Sequence, residues 1–236
     1  MNYDEAALQK VRELRLLIDR CDAWLFDLIQ PFLGQRILEI GCGLGNLLKL
    51  LTDRALVFGT DISEESVTYV KHELGQRSNI DAAVLDVTDP SFLQLRSFRF
   101  DTVVSLNVFE HIEDDTLALK HVFEVLAPGG KLVLIVPAHQ WLYGPMDSSI
   151  GHYRRYTVDK LAAKLQRTGF RVCSQRYVNP IGAFGWFVNG RILRRTIPPV
   201  AQLNTFNKIM PLISTIDRYV DSPFGLSVVS VSERPA

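Results

Sequence analysis

Three glycines in five positions, Gly41, Gly43 and Gly45 of "ILEIGCGLGNLLKLL", follow an apolar run and precede a leucine-rich stretch. Such a turn lets a backbone approach a ligand closely, with the amides of the following segment pointing at it. Asp61 closes the apolar run "LVFGT", with Ile62 beside it, and a carboxylate placed there can hydrogen-bond ribose hydroxyls. Asp86 and Val87 stand at the end of "AAVLDV", and Asn107 ends "FDTVVSLN". Two histidines follow, His111 in "VFEHIED" and His152 in "GHYRRYT", the side-chain type that exchanges a proton near neutral pH. The glycine spacing is GxGxG; Asn46 stands where a dinucleotide fingerprint, GxGxxG, needs its third glycine.

The elements that must hold these residues alternate strictly. Ala7, Val11, Leu14, Ile18, Cys21, Leu25 and Leu28 recur at spacings of four and three, which predicts a helix that Pro31 stops. Then come strand "RILEI", helix "NLLKLLTDR", strand "LVFGTD", helix "EESVTYVKHEL", strand "AAVLDV", strand "FDTVVSLN", helix "DDTLALKHVFEVL", turn "APGG" and strand "KLVLIVP". Short apolar strands between amphipathic helices predict a parallel sheet covered on both faces, a doubly wound α/β architecture. The length, 236 residues, suits one domain. Within it we expect an N-terminal helical segment over 1–31 and a ligand-binding core over 36–137. A connection over 138–156 then precedes helix "TVDKLAAKLQRTG" and strand "FRVCSQRYV", followed by a helical insert over 179–225 and a last strand, "LSVVSVSER".

Net charge is zero, but its distribution is not even. Residues 1–149 carry 13 Lys and Arg against 22 Asp and Glu, and residues 150–236 carry 13 against 4. A basic C-terminal third suits an anionic partner: a charged small molecule, an anionic lipid surface or nucleic acid. Cys21, Cys42 and Cys173 are odd in number and widely spaced, which argues against disulfides and against a zinc site. The polar start "MNYDEAALQK" does not read as a secretory signal, and no apolar run reaches the ~20 residues of a membrane span. A cytoplasmic protein is expected, with a peripheral membrane contact as the one extension that the basic third allows.

The segments "LEIGCGLGNLL", "GTDIS", "LDVTD", "FDTVVSLNVFEHIED" and "LAPGGKLVLIVP" resemble, in order, the motifs of class I S-adenosylmethionine-dependent methyltransferases, in particular the group that includes ubiquinone and menaquinone biosynthesis methyltransferases. The resemblance covers 36–137. It implies a Rossmann-like seven-stranded sheet, mostly parallel with the last strand antiparallel beside the sixth, and S-adenosyl-L-methionine as cofactor. It also implies that Glu39, Gly41, Gly43 and Gly45 line the methionine moiety, that Asp61 holds the ribose, that Ile62 beside it contacts the cofactor, that Asp86 with Val87 meets the adenine, and that Asn107 passes beneath the cofactor. His111 resembles the histidine that faces the acceptor in many relatives and is the first candidate for a general base; His152 is the second.

Some quinone O-methyltransferases hold a metal through two glutamates and a histidine at this helix start. Glu110 and His111 match the last two, but Asn107 replaces the first glutamate, so no metal is expected. The 138–156 connection is long for a structureless loop, a length typical of lids and binding loops. His139, Trp141, Tyr143, Asp147, His152, Tyr153, Arg154, Arg155 and Tyr156 are its candidate acceptor groups. In the insert, Phe184, Trp186, Phe187, Ile192 and Leu193 beside Arg191, Arg194 and Arg195 suggest a cover over an apolar, anionic acceptor. No appended recognition domain and no Asn/Asp-Pro-Pro-aromatic motif points to a nucleic-acid partner. The expected activity is methyl transfer to an oxygen of a small or lipid-like acceptor; the alternatives are a nicotinamide-dependent oxidoreductase and a cofactor-binding module without turnover.

Overall fold

The structure, a computed structural model, describes residues 19–197 and 199–236. Seven strands form a single sheet: β1 (Arg36–Ile40), β2 (Leu56–Asp61), β3 (Ile80–Val84), β4 (Phe100–Leu106), β5 (Leu126–Pro137), β6 (Arg171–Val178) and β7 (Ser227–Glu233). Their order is β3-β2-β1-β4-β5-β7-β6. Strands β1 to β5 pair in parallel, and β7 runs antiparallel to both β5 and β6, as expected of the last strand. The direction of winding reverses between β1 and β4, so the crevice at the C-terminal ends of these two strands is where a doubly wound sheet binds its ligand.

Strand periodicity divides the core. Leu38, Val103, Leu132, Leu134 and Val136 point to one face, into a cluster with Phe92, Leu119 and Phe170. Their neighbours Ile37, Val57, Val104, Val133 and Ile135 point to the other, into a cluster with Trp24, Val70 and Met210. Because successive side chains of a strand alternate between faces, an apolar run buries both. The N-terminal helix is seen over Asp19–Ile29 and gives way at Pro31 to a single 3-10 turn, Gln30–Phe32. It packs on the helix Val200–Tyr219 of the insert. The predicted stripe positions Ala7, Val11, Leu14 and Ile18 lie outside the described residues.

Three local expectations are corrected. After the glycine turn the chain forms turns and one 3-10 turn, Leu48–Leu50, in place of a full helix. Gly45 at φ 73° keeps a helix from starting sooner, and β2 begins at Leu56, so little chain is left in between. Strand β3 ends at Val84, because the Asp86 carboxylate accepts from both the amide and the hydroxyl of Thr88 and bends the chain out of the sheet. Strand β5 begins at Leu126 and takes in the expected turn "APGG": the Gly129 amide donates to the Arg234 carbonyl, and the Arg234 amide donates to that of Gly130. The helices Glu64–Leu74 and Val158–Arg167 stand as expected, capped by Ser63 and Thr157. Among the described residues, no helix is long and apolar enough to cross a membrane.

Candidate active site

The glycine turn is tied to the tip of β2. The amides of Gly41 and Cys42 both donate to the Thr60 carbonyl, at 2.7 and 3.0 Å. The Asp61 carboxylate accepts from the Gly43 amide through one oxygen and from the Ser63 amide through the other, each at 2.9 Å. Gly41, Gly43 and Gly45 all have positive φ, which glycine adopts without penalty. What surrounds them differs. A Cβ at Gly41 would lie 2.3 Å from Cγ2 of Val108, and one at Gly45 would lie 3.1 Å from Cγ2 of Val70. A Cβ at Gly43 would meet nothing within 4 Å, so this glycine faces open space.

The other expected cofactor residues take their places at neighbouring strand tips. Ile62 is 71% exposed and forms an apolar ledge beside Asp61. Glu39 is buried in β1. Burial, reinforced by the Glu39 and Asp61 carboxylates, pushes the Cys42 thiol far up, so it is no thiolate nucleophile. Asn107, in the left-handed region at φ 55°, turns the chain out of β4, and its amide donates to the Ile135 carbonyl at 2.8 Å. Asp86 is exposed one strand beyond Asp61. The Val87 side chain is buried in the core, which leaves only its main chain for a ligand.

Val108, packed on Gly41, leads directly into the turn Phe109–His111. The 138–156 connection folds back onto that turn. It is not structureless: it contains the 3-10 turn Gln140–Leu142 and the short helix Pro145–Ser149. Its centre is Asp147, with no exposed surface. One Asp147 oxygen accepts from Nε of Arg155 at 2.7 Å and pairs with Nδ1 of His152 at 2.9 Å. The other accepts from the Gly144 amide at 2.9 Å and from the Trp186 indole at 3.3 Å. Burial would raise the pKa of this carboxyl, but the His152 hydrogen bond and the Arg155 charge hold it below its ordinary value.

With Nδ1 engaged, His152 turns Nε2 toward Glu110, 3.8 Å from Oε1. The His111 ring meets that of His152 edge to face, centroids 4.6 Å apart. Glu110 is fully buried, and its Oε2 has no hydrogen-bond partner among the described residues. Desolvation pushes its carboxyl up to about 7 despite the opposing influence of His152. His111 keeps an accessible edge while the surrounding protein crowds its ring. That burial, with the His152 ring beside it, lowers His111 to about 4, against hydrogen bonding to the backbone at Gly151 and Ile150. At neutral pH His111 is therefore a neutral imidazole, and its titration lies well below that of an ordinary histidine.

Glu110, His111 and His152 each bring a ligand-type atom within 4.8 Å of the others, so these three could hold a metal ion. His152 enters the group from the distant loop, and Asn107 does not join it.

Most of the loop's expected acceptor groups turn inward. Arg154 pairs with Asp115 at 3.0 Å and donates to the carbonyls of Ile112 and Glu113. The Tyr156 hydroxyl donates to Asp115 at 2.7 Å, and Lys164 also pairs with Asp115. His139 stacks on Tyr177, centroids 4.4 Å apart, and the Tyr143 hydroxyl donates to the His152 carbonyl at 2.7 Å. Trp141 remains 52% exposed. Sequence reasoning did not single out Asp147 as the centre, nor Trp186 as its partner. The signal available was the adjacent pair Arg154 and Arg155, which need carboxylates if buried.

Residues 8–175 match the model of a family described as "Methyltransferase domain". Over 101 residues, 42% of each chain, the sequence is 33% identical to a ubiquinone biosynthesis O-methyltransferase of Coxiella burnetii. Over 111 residues, 46% of this chain and 21% of the other, it is 28% identical to a phosphoethanolamine N-methyltransferase of Triticum aestivum. The chain thus spans less than half the length of these curated relatives. Among solved structures, an S-adenosylmethionine dependent methyltransferase from Mesorhizobium loti superposes with a TM-score of 0.62, over 89% of this chain and 98% of that one, at 17% identity, a likeness of fold.

The shifted carboxyl of Glu110 has a consequence for stability. Its folded pKa lies above its unfolded value of 4.5, so its contribution is full below pH 4.5 and is lost as pH rises through about 7. His111, with a folded pKa below its unfolded 6.5, acts with the opposite sign between about 4 and 6.5. Removing Glu110 leaves that contribution in place. In urea unfolding at pH 4.5 and pH 8, Glu110→Gln should therefore gain on the wild type across the window by on the order of 2–3 kcal/mol. A pH-independent difference between the two proteins would show that Glu110 does not titrate there.

Proposed function

This chain belongs to the methyltransferase domain family, and we propose that it transfers the methyl group of S-adenosyl-L-methionine to an oxygen of a small, lipid-like acceptor. One observation carries the reading. The space over Gly43 is open, its amide is held by Asp61 beside exposed Ile62, and two residues earlier Gly41 packs against Val108, from which the chain leads in three residues to His111. The donor set fits the cofactor. S-adenosyl-L-methionine carries no phosphate; it presents a diol, an adenine and an amino-acid tail, and when bound it supplies a methyl group made electrophilic by a sulfonium. Asp61 keeps lone pairs for the diol beyond those given to the Gly43 and Ser63 amides. Ile62 offers apolar surface to the adenine, with Asp86 and the Val87 main chain at its edge. Glu39, Gly41, Gly43 and Gly45 line the amino-acid tail, and Asn107 lies beneath.

In-line displacement needs the acceptor oxygen held opposite the sulfur, so positioning supplies much of the rate. His111, the accessible histidine of the pair, takes the proton of the acceptor hydroxyl. His152 stands behind it, fixed by Asp147 through Nδ1. We read the Glu110, His111 and His152 group as handling protons without a metal ion, since Glu110 is turned to His152 and Asn107 occupies the position of a missing carboxylate. Arg191, Arg194 and Arg195 are exposed on the insert and suit an anionic acceptor or head groups at an anionic membrane surface. The curated relatives include both an O- and an N-methyltransferase; the base beside the crevice favours oxygen, since an uncharged amine needs no proton removed before attack.

Asp61→Ala should weaken S-adenosyl-L-methionine binding about 10- to 100-fold or somewhat more, through loss of charge-assisted hydrogen bonds worth ~1.5–3 kcal/mol each and of the Gly43 anchor. Calorimetric titration with the cofactor, with NAD as a control, measures this; an unchanged affinity in the folded variant removes Asp61 from the site. His111→Ala should leave cofactor affinity unchanged and slow turnover on an oxygen acceptor by ~100- to 10,000-fold. The wild-type pH–rate profile should show its acidic limb near the pKa of about 4, and the variant should lack it. Turnover at the wild-type rate with the same limb would return the base role to His152.

A further inference from the structure

A hydrophobic groove lies outside the crevice. The helix Pro180–Phe187 and the loop that carries Trp141 form an open groove of about 590 Å³, within the ~300–1,000 Å³ of small-molecule sites, with Trp141, Pro180, Ile181, Phe184, Phe187 and Phe224 in its walls. Its lining residues are apolar without exception. Phe184 is 70% exposed, Trp141 52% and Phe224 46%. A contiguous set of exposed aromatics is a feature that soluble chains normally bury or use.

Two connections link this groove to the reaction site. The helix that presents Phe184 and Phe187 to the groove also carries Trp186, whose indole donates to Asp147 at 3.3 Å, so the groove wall is bonded to the carboxylate that anchors His152. At the Trp141 end, NH1 of Arg191 donates to the Tyr143 carbonyl at 3.1 Å, and the Tyr143 hydroxyl donates to the His152 carbonyl at 2.7 Å. The path from Trp141 past Arg191 to the histidines thus runs from apolar to cationic to proton-accepting. We propose that the groove binds the hydrocarbon tail of an amphiphilic acceptor, with an anionic group near Arg191 and the acceptor oxygen toward His111; the last of these rests on the methyl-transfer reading above. The shape selects a single chain over a bilayer. The groove's limited volume, about 590 Å³, matches one tail along its aromatic walls, and the Arg191 contact at its Trp141 end matches one head group. The absence of polar lining excludes a sugar or a nucleotide, whose hydroxyls would be left without partners.

The test uses the full chain and an alkyl phosphate of twelve carbons brominated at its tail, kept below its micellar concentration. Bromine in the groove should quench Trp141, and most of the quench should be lost in Trp141→Phe, where Trp24, which does not lie on the groove's helix, remains as the control. Phe184→Ser, a substitution at an exposed position, should weaken binding about 10-fold or more, the loss expected when one aromatic side chain no longer buries against the tail. Ethyl phosphate should bind far more weakly than the long-chain probe. Equal affinity for both phosphates, or an unchanged affinity in Phe184→Ser, overturns the proposal. So does quenching seen only with brominated anionic vesicles, which would make the groove a bilayer contact, or a dimer in sedimentation that Phe184→Ser dissolves, which would make it a contact between two copies. S-adenosyl-L-methionine titration of the same samples keeps the readings apart. Cofactor binding without tail binding leaves the methyl-transfer reading standing alone, and tail binding without cofactor binding leaves only a lipid-binding groove.

Discussion

A single carboxylate with no solvent exposure, Asp147, fixes the loop that carries His152 and joins it to the insert. An ionised carboxylate in a protein interior costs several kcal/mol unless its lone pairs are filled, and here four donors from three parts of the chain fill them. Arg155 and His152 come from the end of the long connection, the Gly144 amide from its middle, and the Trp186 indole from the insert. Removing any one donor leaves charge uncompensated, so the loop and the insert are held to each other by the same group that sets the His152 ring. Geometry at the histidines is thereby a property of the tertiary structure as a whole. The Arg155 guanidinium, 4.8 Å from the Trp186 ring centroid, adds a cation–π contact to that junction.

The glycine turn is built on a different principle. There the backbone does most of the work: two amides on the Thr60 carbonyl, two amides on the Asp61 carboxylate, and glycine at each position where a side chain would collide or strain the chain. Asp61 joins the two sides of the turn and still faces the crevice. Its two oxygens each hold one amide of the turn, Gly43 and Ser63, so the carboxylate fixes the turn whatever else it meets. Across Gly41 lies Val108, the side chain that a Cβ at this glycine would meet, and it leads into the turn that carries Glu110 and His111.

The uneven charge of the sequence also finds its place. Several basic residues of the C-terminal third turn back on acids: Arg154 and Lys164 on Asp115, Arg155 on Asp147, and Arg171 on Glu233. Others stay exposed, among them Lys160, Arg167, Lys208 and Arg218, and Arg191, Arg194 and Arg195 form one edge next to exposed Ile192 and Leu193. The charge asymmetry thus separates into buried or half-buried pairs that assemble the loop, a surface pair that ties β6 to β7, and basic residues that stay exposed.

The amino-acid sequence by itself determined the sheet, the turn and the strand tips. Local rules decide these: apolar runs of strand length bounded by turns, amphipathic helices between them, glycines where positive φ is needed, and carboxylates at the ends of β2 and β3. For the same reason Gly41, Gly43, Gly45, Asp61, Ile62, Asp86 and Asn107 could be assigned to one side of the domain from their order along the chain. Where local rules compete, the reading slipped, as in the expected helix after Gly45 and the limits of β3 and β5, which hydrogen bonds to other segments decide. Only the tertiary structure decided what the motif "GHYRRYT" does. Its arginines and last tyrosine anchor the loop, its histidine meets a carboxylate five residues earlier, and Glu110 and His111 arrive from forty residues away. Burial and pairing set the charge of such groups, and both depend on distances through space that no pattern along the chain contains.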